Sequence, residues 1–118
     1  PHIAQLAGIK ALSMDRKHID KMVNEYQRRR DFIVKRLNDI GLPTVNPDGA
    51  FYAFSNIQAY AKNSVNFAKK LIKDIKVAAV PGSEFGKFGE GYLRFSYATD
   101  YKLIKKAMIR LEDYLKKK

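Results

Sequence analysis

The sequence predicts an α+β fold, a small and mainly antiparallel sheet packed against helices. Three observations lead there. Apolar residues recur at helical spacing in four stretches, whereas Phe51 to Ile57 and Tyr92 to Tyr97 read as short pleated strands. Pro and Gly punctuation at Asn46-Pro47-Asp48-Gly49 and Pro81-Gly82 marks tight turns beside those runs. The strands are interrupted by helices, with no internal repeat or low-complexity linker between them.

From Ile3 to Leu12, Ile3, Leu6, Ala7 and Ala11 recur at helical spacing, which predicts a short helix with Gly8 as its weak point. Ser13 and Asp15 are candidate caps for a longer one, in which Ile19, Met22, Val23, Tyr26, Ile33, Leu37 and Ile40 form a stripe. Gly41 and Pro43 end it, the first by taking a left-handed conformation and the second by blocking continuation. Arg30 falls beside the stripe, and snorkelling of its head into water is the simpler reading than an interdomain ion pair. Thr44 and Val45 pair with Phe51 to Ile57 as a hairpin in this reading, with Tyr52, Phe54 and Asn56 on one face and Phe51, Ala53 and Ser55 on the other.

Ser64 is a candidate cap for a third helix bearing Val65, Ala68, Leu71, Ile72 and Ile75, and Lys76 to Val80 follows as a short buried strand. The run from Val80 to Ala98 then passes through four glycines into the strand Tyr92 to Tyr97. Thr99 is expected to cap a last helix with Leu103, Ile104, Ala107, Met108, Leu111 and Leu115 inward.

The 118 residues, 46% hydrophobic, suit a single domain with a real core. The absence of cysteine excludes disulfides and thiolate metal sites, and His2 and His18 are too far apart for a local metal pair, so no metal is expected. No apolar run approaches the roughly 20 residues of a membrane span and no signal peptide is evident, so a cytoplasmic setting is expected. The chain opens at Pro1 directly into helical spacing, which reads as part of a longer polypeptide. Its net charge of +11 raises the possibility of a nucleic-acid partner, but the lysines follow the polar faces of every helix, as a solvated surface does. Lys116 to Lys118 reads as a frayed end.

The best chemical handle is Arg94, set in mid-strand between aromatics and a hydroxyl, where a planar fork of donors suits a carboxylate or phosphate. On spacing alone it fits a structural ion pair and a ligand clamp equally well. The segment Gly82 to Phe88 is no P-loop: its glycines are too close and Phe88 stands where Ser or Thr is required. Phe95 and Tyr97 alternate with Arg94 and read as core rather than as base-stacking residues. No Ser-His-Asp arrangement, carboxylate pair or metal-ligand spacing can be assembled. A non-catalytic basic module for RNA or another acidic partner therefore stands as the alternative to an enzyme domain.

Gly49-Ala-Phe-Tyr-Ala-Phe, Val80-Pro-Gly-Ser-Glu-Phe-Gly and Gly91-Tyr-Leu-Arg-Phe-Ser-Tyr-Ala, in this order and spacing, resemble the C-terminal part of pyridoxal-phosphate-dependent aminotransferases. The resemblance is to the aspartate aminotransferase family (class I, fold type I), and Glu25-Tyr-Gln-Arg-Arg-Arg-Asp and Arg110-Leu extend it over essentially the whole chain. It implies a C-terminal small domain over 14–118, with 1–13 the end of the large domain or a linking helix. It also implies that Arg94 pairs with the substrate α-carboxylate and that Phe51 lines the pocket. The Schiff-base lysine and most cofactor ligands of that family lie upstream, so no catalytic or cofactor-binding residue is expected in this chain, and no cofactor bound to it alone. In the complete enzyme the resemblance implies pyridoxal 5'-phosphate, an amino acid such as aspartate and a 2-oxo acid as substrates, an upstream large domain and a homodimer. The apolar spacing and the spread of the lysines lead to no expected membrane partner and no specific nucleic acid.

Overall fold

A computed structural model describes residues 1–117; Lys118 lies outside the described residues. The elements run α1 (His2–Ser13), α2 (Lys17–Asp39), β1 (Tyr52–Asn56), α3 (Ser64–Ile75), β2 (Val80–Pro81), β3 (Tyr92–Ser96) and α4 (Tyr101–Leu115). Three strands form an antiparallel sheet in the order β1-β3-β2, so the predicted α+β class, with its small antiparallel sheet and packed helices, is the fold observed. Between β2 and β3 the chain makes two short 3-10 turns, Gly82–Phe85 and Lys87–Gly89.

The central strand organises the core. Leu93, Phe95 and the following Tyr97 are buried, and they join Ile33 and Leu37 of α2, Phe67 and Leu71 of α3, and Ile104, Met108 and Leu111 of α4 in one cluster. Across the ladder Ala53 faces Phe95 and Ser55 faces Leu93, so β1 buries the same side. The Ser55 and Thr44 hydroxyls satisfy each other at 2.8 Å inside this core. Asn38, in the last turn of α2, holds Thr44 through both its amide and its carbonyl at 2.9 and 3.0 Å, which turns the chain from helix to sheet.

Several local expectations change. Thr44 and Ser55 make an isolated antiparallel bridge rather than a hairpin, beside a single backbone hydrogen bond of 2.8 Å from the Asn56 amide to the Pro43 carbonyl. The strand expected over Lys76 to Val80 shrinks to Val80–Pro81, because Lys76 takes the left-handed conformation that closes α3. Asn63, not Ser64, caps α3 by accepting from the Asn66 amide at 2.8 Å. Asp100, not Thr99, caps α4 by accepting from the Lys102 amide at 2.7 Å. At the start of α2, Asp15 accepts from the Lys17 amide, while the Ser13 hydroxyl turns back to the Lys10 carbonyl. Leu103 and Ile72 are exposed rather than inward, and Phe67 takes the inward place on α3. Arg30 is held by Asp31 and the Pro47 carbonyl with its head partly exposed.

Helix α1 and the first turns of α2 stand apart from this core. None of α1 is buried, and Ile3, Leu6, Ile9, Leu12, Ile19 and Met22 are exposed. Further along, Arg36 of α2 pairs with Glu112 of α4 and ties the two helices together.

Phe95→Ala should destabilise the protein by roughly 3 to 5 kcal/mol through lost burial and the cavity left behind, as read by urea denaturation. An unchanged transition would remove β3 from the centre of the core. A second expectation concerns acid. Hydrogen bonds from Arg28 and then Arg29 pull the Glu25 carboxyl from 4.5 down to about 2. The folded state therefore binds fewer protons than the unfolded chain in that window, so this contribution is complete above pH 4.5 and is lost as pH falls towards 2. Thermal melts from pH 5 to 2 should show a shallower decline for Glu25→Gln than for the parent.

Candidate functional site

The sheet face opposite the core is set by β3. Alternation that buries Leu93 and Phe95 turns Tyr92, Arg94 and Ser96 the other way, and their cross-strand partners Asn56, Phe54 and Tyr52 come with them. Val80 of β2 flanks Arg94 on the other edge. Arg94 thus sits in the middle strand of an open face, between one residue of each neighbour.

Its guanidinium carbon lies 4.0 Å from the centre of the Tyr52 ring and 4.4 Å from that of Phe85. Rings take the faces of a guanidinium and leave its N–H edges unmet. Arg94 Nε is buried without a hydrogen-bond partner, and no hydrogen bond or ion pair to the Arg94 side chain occurs among the described residues. The other arginines behave differently. Arg16, Arg28, Arg29, Arg30 and Arg36 all pair with carboxylates, and Arg110 donates to the Ile75 carbonyl. A partly buried cation with its donors unmet is arranged for an anion from outside these residues.

Around Arg94 the face is aromatic. Phe54 stacks on Tyr92 with centroids 5.1 Å apart and meets Phe85 edge-on at 6.0 Å. Phe51 lies just before β1, beyond the face itself, with its ring 4.4 Å from Tyr52 and 6.1 Å from Tyr26. Ala50 before it has φ of 60°, a left-handed conformation for a residue with a Cβ, and its carbonyl accepts from the Tyr97 hydroxyl at 3.2 Å. Phe95 and Tyr97 are in the core, as expected, so neither offers a ring to a nucleic-acid base. A groove of about 440 Å³ between Lys76, Val77, Leu103, Ala107 and Arg110 is separate and does not include Arg94.

Two residues of this arrangement were not legible in the sequence as site residues. Tyr52 reads only as a strand aromatic, because its contact with Arg94 depends on the β1–β3 register. Phe85 reads as a loop residue, because its position depends on how 82–91 folds back. There Gly82 and Gly89 touch backbone to backbone: a Cβ on Gly82 would stand 1.9 Å from the Gly89 carbonyl oxygen.

With that geometry in hand, comparison with known proteins assigns the chain. Residues 1–111 match the family of aminotransferases of class I and II, and the chain belongs to that family. It is 49% identical over 97% of its length to aromatic-amino-acid aminotransferase 2 of Thermococcus litoralis, and 49% identical over 97% to the aspartate aminotransferase of Pyrococcus abyssi. Among solved structures it superposes on the aromatic aminotransferase of Pyrococcus horikoshii with a TM-score of 0.88 and 50% identity over 92% of the chain. The chain spans 30% of the length of those first two relatives and 29% of that structure.

Members of this family depend on pyridoxal phosphate, whose aldehyde needs an amine and whose phosphate needs several donors. The Arg94 face carries neither a lysine nor a carboxylate, and every described lysine is exposed. These residues alone do not fit the cofactor.

Gly82→Ala should cost about 1 to 3 kcal/mol, since the new methyl must displace the Gly89 and Tyr92 carbonyls rather than a flexible side chain. Thermal melts would measure it. A variant as stable as the parent would mean that the 82–91 loop is not closed against itself.

Proposed function

We propose that the chain works as the C-terminal small domain of a pyridoxal-phosphate-dependent aminotransferase, with 14–118 forming that domain and 1–13 the end of the large domain or a linking helix. On this reading Arg94 receives the α-carboxylate of the amino-acid substrate and Phe51 lines the pocket. The observation that carries it is Arg94 itself, the one arginine among the described residues without a polar partner, held between two rings on a face bare of other charge.

The reaction transfers an amino group between an amino acid and a 2-oxo acid, both of which present a carboxylate beside the reacting carbon. The electron sink for that carbon would come from the cofactor, for which this chain offers no ligands. This chain's part is orientation. A guanidinium gripping both carboxylate oxygens fixes the angle of the bonds at Cα, where an ammonium would neutralise the charge without fixing its direction. A site for the α-carboxylate serves every amino acid, which accords with aromatic and aspartate enzymes among the relatives. Aspartate is the substrate we favour, through the resemblance noted in the sequence. The same resemblance leads us to propose a homodimeric, cytoplasmic enzyme; among the described residues no helix is long and apolar enough to cross a membrane.

In the complete enzyme, Arg94→Lys should lower kcat/KM for the amino acid at least about tenfold and Arg94→Ala further. Losing one charge-assisted bond costs on the order of 1.5 to 3 kcal/mol. Cofactor content should be unchanged. Stopped-flow half-reactions with L-aspartate and L-phenylalanine decide the matter: parental rates in Arg94→Ala would make Arg94 structural.

A further inference from the structure

Glu90 closes the loop that carries Phe85, and it is bonded to the start of α3. Its carboxylate accepts from the Ser64 amide at 2.7 Å, the Gly91 amide at 3.0 Å and the Ser64 hydroxyl at 3.1 Å. These bonds, the backbone ones first, hold its carboxyl below the usual range. The Ser83 hydroxyl lies 3.3 Å from the same Ser64 hydroxyl. Both ends of the 83–90 segment are therefore fastened to one residue, the first of α3, which is itself buried.

Between those two fastenings the segment is mostly exposed. Phe85 is 48% exposed and has the Arg94 guanidinium on one side and the edge contact with Phe54 on another. The Gly82–Gly89 contact keeps the loop folded, but it fixes only the distance between the loop's two arms. The bonds to Ser64 fix the loop against α3, and α3 is anchored in the core by Phe67, Ala68 and Leu71.

We propose that Glu90 is a positioning residue for the substrate carboxylate: it holds the 82–91 loop on α3 so that Phe85 stands against Arg94 in addition to Tyr52. Glu90 touches neither substrate nor arginine. The proposal rests on the reading that Arg94 binds the α-carboxylate.

The experiment is a double-mutant cycle in the complete enzyme, read by half-reactions with L-aspartate and L-phenylalanine. Glu90→Ala should raise the half-saturating amino-acid concentration by about two- to fivefold, the effect of losing one exposed cation–π wall, with little change in maximal rate. Phe85→Ala should do the same. In the Phe85→Ala background, Glu90→Ala should add less than about twofold, because the two act through one contact. Glu90→Gln keeps the side chain's shape and an acceptor for the Ser64 amide, and should recover most of the parental value; it also serves if Glu90→Ala fails to fold.

A second readout needs no cofactor. In the 118-residue chain, the Arg94 Nε–Hε NMR resonance lies under the ring currents of Tyr52 and Phe85. It should move in Glu90→Ala in the same direction as in Phe85→Ala. A resonance that stays in place in Glu90→Ala, or fully multiplicative effects of the two substitutions, would overturn the proposal. If Arg94→Ala slows the half-reaction while either of those results is found, only the role of Glu90 fails. If Arg94→Ala leaves the half-reaction at parental rates, the carboxylate reading fails and takes this proposal with it.

Discussion

Leu93 and Phe95 lock one side of β3 into the core, and alternation then forces Tyr92 and Arg94 to the other side. A slip of one residue would exchange the two sets and carry a guanidinium in among Ile33, Leu37 and Met108. The cost of an unpaired buried charge runs to several kcal/mol, so the register of the sheet and the exposure of the arginine are one constraint. The neighbours inherit it. Ala53 and Ser55 must be small because they lie across from Phe95 and Leu93, and Tyr52 and Phe54 have space to be large because they stand on the open side.

What happens at Arg94 differs in kind from what happens at the other arginines. Arg36 and Glu112 join helices that are already packed, and Arg28 and Arg29 share Glu25 within one helix, so each carries its own counter-charge. Arg94 is given rings in place of counter-charge. Aromatic faces partly offset desolvation of a guanidinium, which is weakly hydrated, without competing for its donors. The arrangement keeps the cation in place and leaves its hydrogen-bonding edge open, which is the condition for a reversible anion site and a poor way to build a structural ion pair.

The sequence showed this strand well and its surroundings less well. Six residues from Tyr92 to Tyr97 alternate so cleanly that the buried and open faces, and Arg94 on the latter, follow from spacing alone. Helices α2 and α4 were equally legible from their apolar stripes. Caps were less so, because Asn63-Ser64 and Thr99-Asp100 each offer two adjacent side chains able to accept an amide hydrogen bond, and backbone angles at a single residue decide between them. Lys76 closes α3 in a left-handed conformation usually taken by Gly or Asn, so nothing in the sequence marked that end. Glu90 reaching Ser64 across 26 residues, and Asn38 holding Thr44, are tertiary contacts that no local pattern encodes.

The far end of the molecule poses a separate question, and it weighs on the functional reading. Helix α1 has 12 residues and buries none of them, and isolated helices of that length are marginal in water. Ile3, Leu6, Ile9 and Leu12 of α1 and Ile19 and Met22 of α2 are exposed apolar side chains, as unmet as the donors of Arg94. The two surfaces have opposite chemistry. A basic module for an acidic partner would give Arg94 an anion but leave the apolar residues in water, whereas a domain joined to a larger body satisfies both, one by packing and the other by substrate. The chain spans 30% of the length of relatives that it matches over 97% of its own, and the second account accords with that span.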